Sequence, residues 1–241
     1  MTGYLARLGG DVRRAAPEPT RGFADALRAG PDLAVVAEIK RASPSQGSIA
    51  PAADVADTAR RYAAGGAAAM SVLCAERDFD GSLAHLTEAR RASPLPALAK
   101  EFTVFPEQIA AQRLAGADAV LVILAMVTDA EAARLLQTAG LLGVDALVEA
   151  HTAAEVERAL ALGAGVVGVN ARDLETLAVD RDRQLELLRS LPPTVVRVAE
   201  SGIETRADVE AAAGAGADAV LVGTALMREP ELLAELVGVP R

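Results

Sequence analysis

Residues 115–122, Ala-Gly-Ala-Asp-Ala-Val-Leu-Val, recur letter for letter at residues 215–222. Weaker copies of this pattern lie at 65–73 and 163–170. In each copy a predicted helix ends in glycine, which readily adopts the left-handed conformation that terminates a helix, and an apolar strand follows at once. The repeat therefore predicts that helices and strands alternate along the chain.

Four more apolar stretches alternate with these copies and complete a set of eight predicted strands. These stretches are residues 35–40, 95–100, 145–150 and 195–200, and helical periodicity is visible at 106–114, 130–139, 153–162 and 206–213. Eight strand–helix units at intervals of roughly 25 residues are typical of an α/β protein with a (β/α)8 TIM barrel. A doubly wound open sheet is the alternative, but no Gly-x-Gly-x-x-Gly motif follows the first strand to support it. We predict one barrel domain over residues 1–241, with residues 1–30 as an N-terminal helical extension.

The segment before the first strand does not share the repeat. Residues 1–20 contain Gly9-Gly10 and Pro17-Glu-Pro19, a composition typical of a frayed helix and a linker. Thr20 is expected to cap a helix over residues 21–28, because its hydroxyl can accept a hydrogen bond from a free backbone N–H. This helix either covers one end of the barrel or forms a plain arm, and the sequence leaves both open.

Composition excludes several classes of protein. The net charge is −9 and the isoelectric point is near 4.9, so the basic stripe that nucleic-acid binding requires is missing. No apolar stretch approaches the ~20 residues of a membrane span, and the N-terminus has no signal-peptide pattern. The single cysteine, Cys74, excludes an internal disulfide and fits a reducing compartment. We expect a cytoplasmic protein that binds neither nucleic acid nor membranes.

The chain has only two lysines, Lys40 and Lys100, against 22 arginines, and each lysine closes a predicted strand. Lysine differs from arginine in its compact ammonium group and its readily shifted pKa, whereas a guanidinium stays protonated. A cation at the end of a buried strand is unfavourable unless it has a partner or a task. We therefore predict that both lysines are functional.

Other polar residues also end the predicted strands. In barrel enzymes the carboxyl ends of the strands converge on one mouth, where the chemistry takes place. Charges crowded there need a ligand or mutual pairing, and their perturbed pKa values suit acid–base catalysis. The candidates are Glu38 and Lys40 from the first strand, Lys100 from the third, Glu149 from the fifth, Asn170 from the sixth and Glu200 from the seventh.

Two glycine-containing turns predict a phosphate site. Ser201-Gly202-Ile203 follows the seventh strand, and Gly223-Thr224-Ala225 follows the eighth and opens a helix. Small residues allow backbone N–H groups to approach an anion, and the loops after strands seven and eight are the usual phosphate site of this fold. We therefore expect a phosphorylated small molecule as the partner.

No metal site or nucleophilic triad is predicted. The only histidines are His85 and His151. His85 is expected to be an ordinary helix residue. His151 follows Glu149 by two residues and could contact the site, although such a residue more often caps a helix or faces solvent. Cys74 is expected to be a small buried filler, so neither a metal nor a cofactor is predicted.

From about residue 21 to residue 236 the chain resembles the indole-3-glycerol phosphate synthase family. The first motif, Glu-Ile-Lys followed by Ser-Pro-Ser, is highly specific to that family. The motifs, in order, are Ala37–Gly47, Phe79–Ser82, Leu98–Phe102, Leu147–Glu149, Gly168–Leu174, Ala199–Ile203 and Leu221–Thr224.

The resemblance implies a reaction of tryptophan biosynthesis that needs no cofactor. A carboxyphenylamino-deoxyribulose phosphate closes to indole-3-glycerol phosphate with loss of carbon dioxide and water. By position Lys100 is the general acid that protonates the ketone oxygen. Lys40 holds the substrate carboxylate with Glu38 orienting it, and Lys40 also takes part in the dehydration. Glu149 serves the proton transfers that expel water, and Asn170 positions the substrate hydroxyls.

The resemblance also implies the groups that bind substrate. Phe79 and Phe102 are expected to sandwich the anthranilate ring. The phosphate and ribulose oxygens are expected to contact Ser43, Ser201, Gly202, Gly223 and Thr224, and Arg172, Glu200 and Leu221 complete the predicted site. Departures from the family pattern are a shorter N-terminal arm, Gln46, Cys74-Ala75, Glu101 and Ala171. The assembly is expected to be a monomer or a homodimer.

Two other functions are weighed against this one. Phosphoribosylanthranilate isomerase shares the phosphate loops, but its chemistry uses a Cys/Asp pair, whereas the first strand here carries Glu38 and Lys40. A non-catalytic sugar-phosphate-binding barrel is the other alternative, and the retention of both lysines and Glu149 argues against it.

Overall fold

Eight parallel strands form a closed barrel in the computed structural model, which describes residues 18–241. The strands are β1 Ala34–Ile39, β2 Ala69–Leu73, β3 Ala97–Lys100, β4 Ala119–Ile123, β5 Asp145–Ala150, β6 Val166–Asn170, β7 Val196–Glu200 and β8 Ala219–Val222. Each strand pairs with its neighbours in sequence, and β8 closes the barrel against β1. The predicted TIM barrel is confirmed.

Helices alternate with the strands over the described residues. They are α1 Phe23–Ala26, α2 Val55–Ala64, α3 Leu83–Ala92, α4 Pro106–Leu114, α5 Asp129–Leu142, α6 Ala153–Ala161, α7 Arg181–Ser190, α8 Arg206–Gly214, α9 Thr224–Arg228 and α10 Leu233–Leu236, with short 3-10 turns at Leu124–Met126 and Pro230–Leu232. A two-stranded antiparallel ribbon, Ala42–Ser43 with Gly47–Ser48, follows β1 and was not predicted. Between residues 18 and 241, none of the helices has the length and hydrophobicity that crossing a bilayer requires.

Side chains fill the barrel on both sides of its wall. Val36, Leu98 and Leu147 belong to a buried aliphatic cluster inside the barrel. Val35 and Val148, from the intervening positions, belong to the layer between the strands and the helices. Because the strands are buried on both faces, they appear in the sequence as continuous apolar runs.

The aspartate of the repeat connects neighbouring strands at the amino end of the barrel. Gly116 and Gly216 adopt left-handed backbone angles, with φ of +106° and +87°, as the repeat predicts. Two residues later, Asp118 Oδ2 accepts a hydrogen bond from the backbone N–H of Ala97 at 2.8 Å. Asp218 Oδ2 accepts the equivalent bond from the N–H of Arg197 at 2.9 Å. The repeat therefore encodes a side-chain link to the preceding strand as well as a turn.

Replacing Asp118 by alanine is expected to lower the free energy of unfolding by about 3 kcal/mol, because a buried guanidinium would lose its buried partner and keep only Glu18, whose side chain is 57% exposed. Arg90 is buried and donates to both Asp118 oxygens, at 2.9 and 3.2 Å. Urea unfolding measures the change. The exposed pair of Arg60 with Asp57 supplies the control, since Arg60→Ala should change stability by less than about 1 kcal/mol. Equal effects of the two substitutions would contradict this assignment.

Helix α1 covers the amino end of the barrel, opposite the mouth. Phe23 and Leu27 are fully buried against the cluster inside the barrel. The prediction for Thr20 is wrong, since the helix begins after Gly22, whose φ is +64°. The backbone N–H of Ala24 instead donates to Asp145 Oδ2 at 2.9 Å, so a distant strand supplies the acceptor that a local cap would have provided. The predicted linker lies largely in residues 1–17, outside the described part of the chain.

Candidate active site

The carboxyl ends of the strands surround a cavity of about 470 Å³. All fifteen residues predicted for the site line this cavity. They are Glu38, Lys40, Ser43, Phe79, Lys100, Phe102, Glu149, Asn170, Arg172, Glu200, Ser201, Gly202, Leu221, Gly223 and Thr224. Parallel strands bring their carboxyl ends to the same side of the barrel, so residues far apart in sequence meet here.

Lys100 lies between two buried carboxylates. Its Nζ is 2.9 Å from Oε2 of Glu149 and 2.7 Å from Oε2 of Glu200. The lysine side chain is 15% exposed and each glutamate side chain is 2% exposed. The ammonium therefore faces the cavity while its counter-charges are held in the wall.

The two glutamates that contact Lys100 have different surroundings. Burial raises the pKa of Glu149, but Lys100 and His151 lower it by more, so its pKa lies well below the usual range. Burial raises the pKa of Glu200 to about 7, opposed by Lys100 and aided by Glu149. Glu149 also faces Asn170, whereas Oε1 of Glu200 is buried with no hydrogen-bond partner among the described residues. Of the two carboxyl groups, Glu149 is therefore the one whose pKa is lowered and Glu200 the one whose pKa is raised.

The same carboxylates control the charge of Lys100. Burial lowers the pKa of the Lys100 ammonium, but Glu149, Glu200 and Glu38 raise it by more, and the net shift is upward. Lys100 is therefore fully protonated at neutral pH. A group in this state can act as an acid but not as a base.

Lys40 forms the second charged pair of the cavity. Its Nζ is 3.0 Å from Oε1 of Glu38, and Ser71 Oγ donates to Oε2 of Glu38 at 3.2 Å. A Cβ on Gly223 would come within 2.5 Å of Oε1 of Glu38 and 3.0 Å of Nζ of Lys40. The glycine of the loop after β8 therefore leaves room for the Lys40–Glu38 pair.

The loop after β7 has an unusual backbone. Ser201 and Gly202 have φ of +66° and +71°, and left-handed geometry is uncommon for a residue other than glycine. A Cβ on Gly202 would come within 2.9 Å of Cγ1 of Val179, so the glycine also allows close packing. Strained residues of this kind concentrate at binding sites.

Phe79 and Phe102 contact each other at the cavity rim. Their ring centroids are 6.0 Å apart and their planes are inclined by 57°. A flat ring between them would need parallel planes about 7 Å apart, which is twice the contact distance of two carbon atoms. The expected sandwich is therefore not preformed, and the rings present a shared apolar surface instead.

Gly81 shapes the loop that carries Phe79, and Gly81→Ala is expected to lower the free energy of unfolding by about 2 kcal/mol. A Cβ there would lie 2.6 Å from the carbonyl oxygen of Leu73 and 2.7 Å from that of Ala75, and backbone atoms cannot move aside cheaply. Thermal or urea unfolding tests this effect. At Gly214 in α8 a Cβ meets no atom of the described residues within 4 Å, so Gly214→Ala should stabilise by about 0.5 kcal/mol. If both substitutions changed the free energy of unfolding in the same direction, the expected clash at Gly81 would be contradicted.

Asn170 contacts protein groups through both ends of its amide. Nδ2 donates to Oε1 of Glu149 at 3.1 Å, and Oδ1 accepts from the backbone N–H of Arg172 at 2.9 Å. The family resemblance implies that this amide positions substrate hydroxyls, and that role stays a prediction. In the structure it holds the Glu149 carboxylate.

Two residues near the site were not in the predicted set. His151 was expected to cap a helix or face solvent, but its side chain is buried and Nε2 lies 3.3 Å from Oε1 of Glu149. Arg228 lines the cavity, and its Nη2 donates to Oε1 of Gln46 at 2.7 Å. The signal for His151 was its position two residues after a strand-end glutamate. Cys74 is buried as predicted and does not line the cavity. Within residues 18–241 no three His, Cys, Asp or Glu side chains are grouped as metal ligands.

Over most of its length the chain is similar to proteins of one known family. The family model described as indole-3-glycerol phosphate synthase matches residues 5–237. Indole-3-glycerol phosphate synthase of Micrococcus luteus is 51% identical over 227 residues, covering 92% of this chain and 84% of the relative. The protein of that name from Mycolicibacterium vanbaalenii is 51% identical over 212 residues, covering 88% and 77%.

Solved structures show the fold only. A 3-hexulose-6-phosphate synthase superposes with a TM-score of 0.66 at 18% identity, covering 85% of this chain and 98% of the other. A thiamine phosphate pyrophosphorylase from Pyrococcus furiosus superposes with a TM-score of 0.61 at 15% identity, covering 84% and 92%. Both confirm the architecture independently of sequence.

Proposed function

The chain belongs to the indole-3-glycerol phosphate synthase family, and we propose that its two lysines divide the work of that reaction, Lys100 as the acid and Lys40 as the carboxylate anchor. Membership makes the chain a carboxy-lyase of tryptophan biosynthesis. The observation that carries the division of roles is the cavity-facing Lys100 ammonium, held at 2.9 and 2.7 Å by two carboxylates.

Lys100 serves the ring closure. A carbon of the anthranilate ring attacks the ketone of the ribulose chain, and negative charge develops on the ketone oxygen. Lys100 donates a proton to that oxygen and so converts it to a hydroxyl. The raised pKa of Lys100 keeps the proton in place until the oxygen becomes basic enough to take it.

Lys40 and Glu38 serve the decarboxylation. The Lys40 ammonium holds the substrate carboxylate, and the ion pair with Glu38 fixes the ammonium. When carbon dioxide leaves, the electron pair of the broken carbon–carbon bond returns to the ring and restores its aromaticity. Lys40 also assists the dehydration that follows.

Glu149 serves the dehydration. Its carboxylate takes a proton from the ring carbon next to the one that carries the hydroxyl, and the hydroxyl leaves as water. The lowered pKa of Glu149 supports this assignment, because the base is ionised at neutral pH. Asn170 keeps the carboxylate oriented through the 3.1 Å bond to Oε1.

The rest of the cavity binds the substrate. The anthranilate ring packs on Phe79 and Phe102, with Leu221 below, and Arg172 and Glu200 complete the wall. The phosphate and ribulose oxygens contact Ser43, Ser201, Gly202, Gly223 and Thr224. Arg228, one helical turn beyond Thr224, adds a cation to this rim.

Every group invoked belongs to one chain, so the proposal requires no second subunit. Together with the single cysteine, a biosynthetic reaction on a phosphorylated metabolite supports a cytoplasmic location.

The proposal is tested by following indole fluorescence as the purified protein consumes the anilino-ribulose phosphate. We expect Lys40→Met to raise KM by about tenfold or more, since one charge-assisted contact to the carboxylate is lost, and to lower kcat less than Lys100 variants do. Measuring kcat and KM for Lys40→Met and for the Lys100 variants separates the roles of the two lysines. An unchanged KM in Lys40→Met would remove Lys40 as the anchor.

A further inference from the structure

We propose that His151 is a positioning residue for the reaction, whose buried ring holds one oxygen of Glu149 so that the other oxygen remains on Lys100. The inference deepens the proposed function, because it rests on Glu149 as the base of the dehydration. His151 does not line the cavity, so it acts through Glu149 and not on the substrate.

The geometry around Glu149 divides its two oxygens. Oε2 lies 2.9 Å from Nζ of Lys100. Oε1 accepts a hydrogen bond from Nδ2 of Asn170 at 3.1 Å, and Nε2 of His151 lies 3.3 Å from Oε1, at ion-pair distance but outside hydrogen-bond geometry. A carboxylate held from both ends has little freedom to rotate, and positioning of this kind is a large part of catalytic efficiency.

The first turn of helix α6 fixes the imidazole ring. Thr152 caps the helix by accepting from the N–H of Glu155, and the Glu155 carboxylate accepts in return from the backbone N–H groups of His151 and Thr152, at 2.6 and 3.2 Å. The same Oε2 of Glu155 lies 3.6 Å from Nδ1 of His151. One carboxylate therefore completes the capping box and also faces the far side of the ring.

The charged groups with the largest effect on the pKa of the ring are acidic. They are Glu149 from β5, Glu155 from α6 and Glu200 from β7. Burial lowers the pKa of His151, but these carboxylates raise it by more, and the net shift is upward from 6.5. Below its raised pKa the ring is an imidazolium between two carboxylates, which strengthens its hold on Glu149.

His151→Leu removes the contact, and we expect kcat to fall by about tenfold to a hundredfold, with KM changed by less than about threefold. His151→Gln keeps an N–H donor and should recover most of kcat. His85→Leu in α3 is the matched control and should keep wild-type kcat. Wild-type kcat in a folded His151→Leu protein would overturn the proposal.

A second measurement does not depend on how these variants fold. The chain has only two histidines, so their imidazole resonances are readily distinguished in an NMR titration. We expect one ring to titrate above 6.5 and its pKa to fall in Glu149→Gln, with His85→Leu identifying the signals. If the pKa of His151 were the same in Glu149→Gln as in the wild type, the contact would be overturned.

The outcomes also separate this inference from the proposed function. An active Glu149→Gln with the expected His151 titration would refute the role of Glu149, and the positioning role would fall with it although the contact survives. An inactive Glu149→Gln with a fully active His151→Leu would refute only the inference.

Discussion

Replacing Lys100 by arginine is expected to lower kcat at least about a thousandfold while the protein remains folded. The guanidinium keeps the positive charge that Glu149 and Glu200 require. The same carboxylates would raise the pKa of either cation, and arginine, whose intrinsic pKa is higher than that of lysine, remains the weaker proton donor at the ketone oxygen. General acid catalysis contributes about 10²–10⁴-fold, and the displaced geometry adds to that loss. Indole fluorescence under single-turnover conditions measures the remaining rate.

Lys100→Met should also abolish activity, yet it is the weaker test. It leaves two carboxylates, each 2% exposed, without their shared cation, so it is expected to reduce stability as well. The arginine variant separates charge from proton transfer. If Lys100→Arg retained more than about a tenth of wild-type kcat, charge alone would suffice and Lys100 would not be the acid.

Glu149→Gln is expected to lower kcat by about a hundredfold to a thousandfold with little change in KM. The amide retains the shape of the side chain and can still face Lys100 through its oxygen, but it cannot accept a proton. Stopped assays with the full substrate, together with a search for accumulated hydroxylated intermediate, measure the block. If a hydroxylated intermediate that has already lost carbon dioxide accumulates, Glu149 is assigned to the dehydration.

Glu157→Gln provides the matched control for this variant. Glu157 lies on α6 on the exposed side of the helix, so the same chemical change is made outside the cavity. Its kcat and KM should equal those of the wild type. If Glu149→Gln behaved like Glu157→Gln, the dehydration would have to use another base.

Much of the architecture followed from local pattern. The copies at 115–122 and 215–222 indicated where helices end, and strand β5 and helix α4 have the predicted bounds. Fifteen of the residues that line the cavity were expected from the sequence, and the strand-end ones among them follow from strand direction, because the direction of a parallel strand determines which of its ends faces the mouth. A strand-end lysine or glutamate therefore needs no distance information to be assigned to the site.

The sequence by itself determined the barrel and the strand-end residues that face its mouth, since periodicity and strand direction are local properties of the chain. Only the tertiary structure decided that His151 is buried against Glu149, that Asp145 caps α1, and that the pKa of Glu149 is lowered while that of Glu200 is raised. These features depend on burial and on distances between atoms from separate strands, because burial sets the desolvation energy of a charged group and distance sets its Coulomb energy. The sequence around a strand-end glutamate does not indicate which distant residue will pair with its charge.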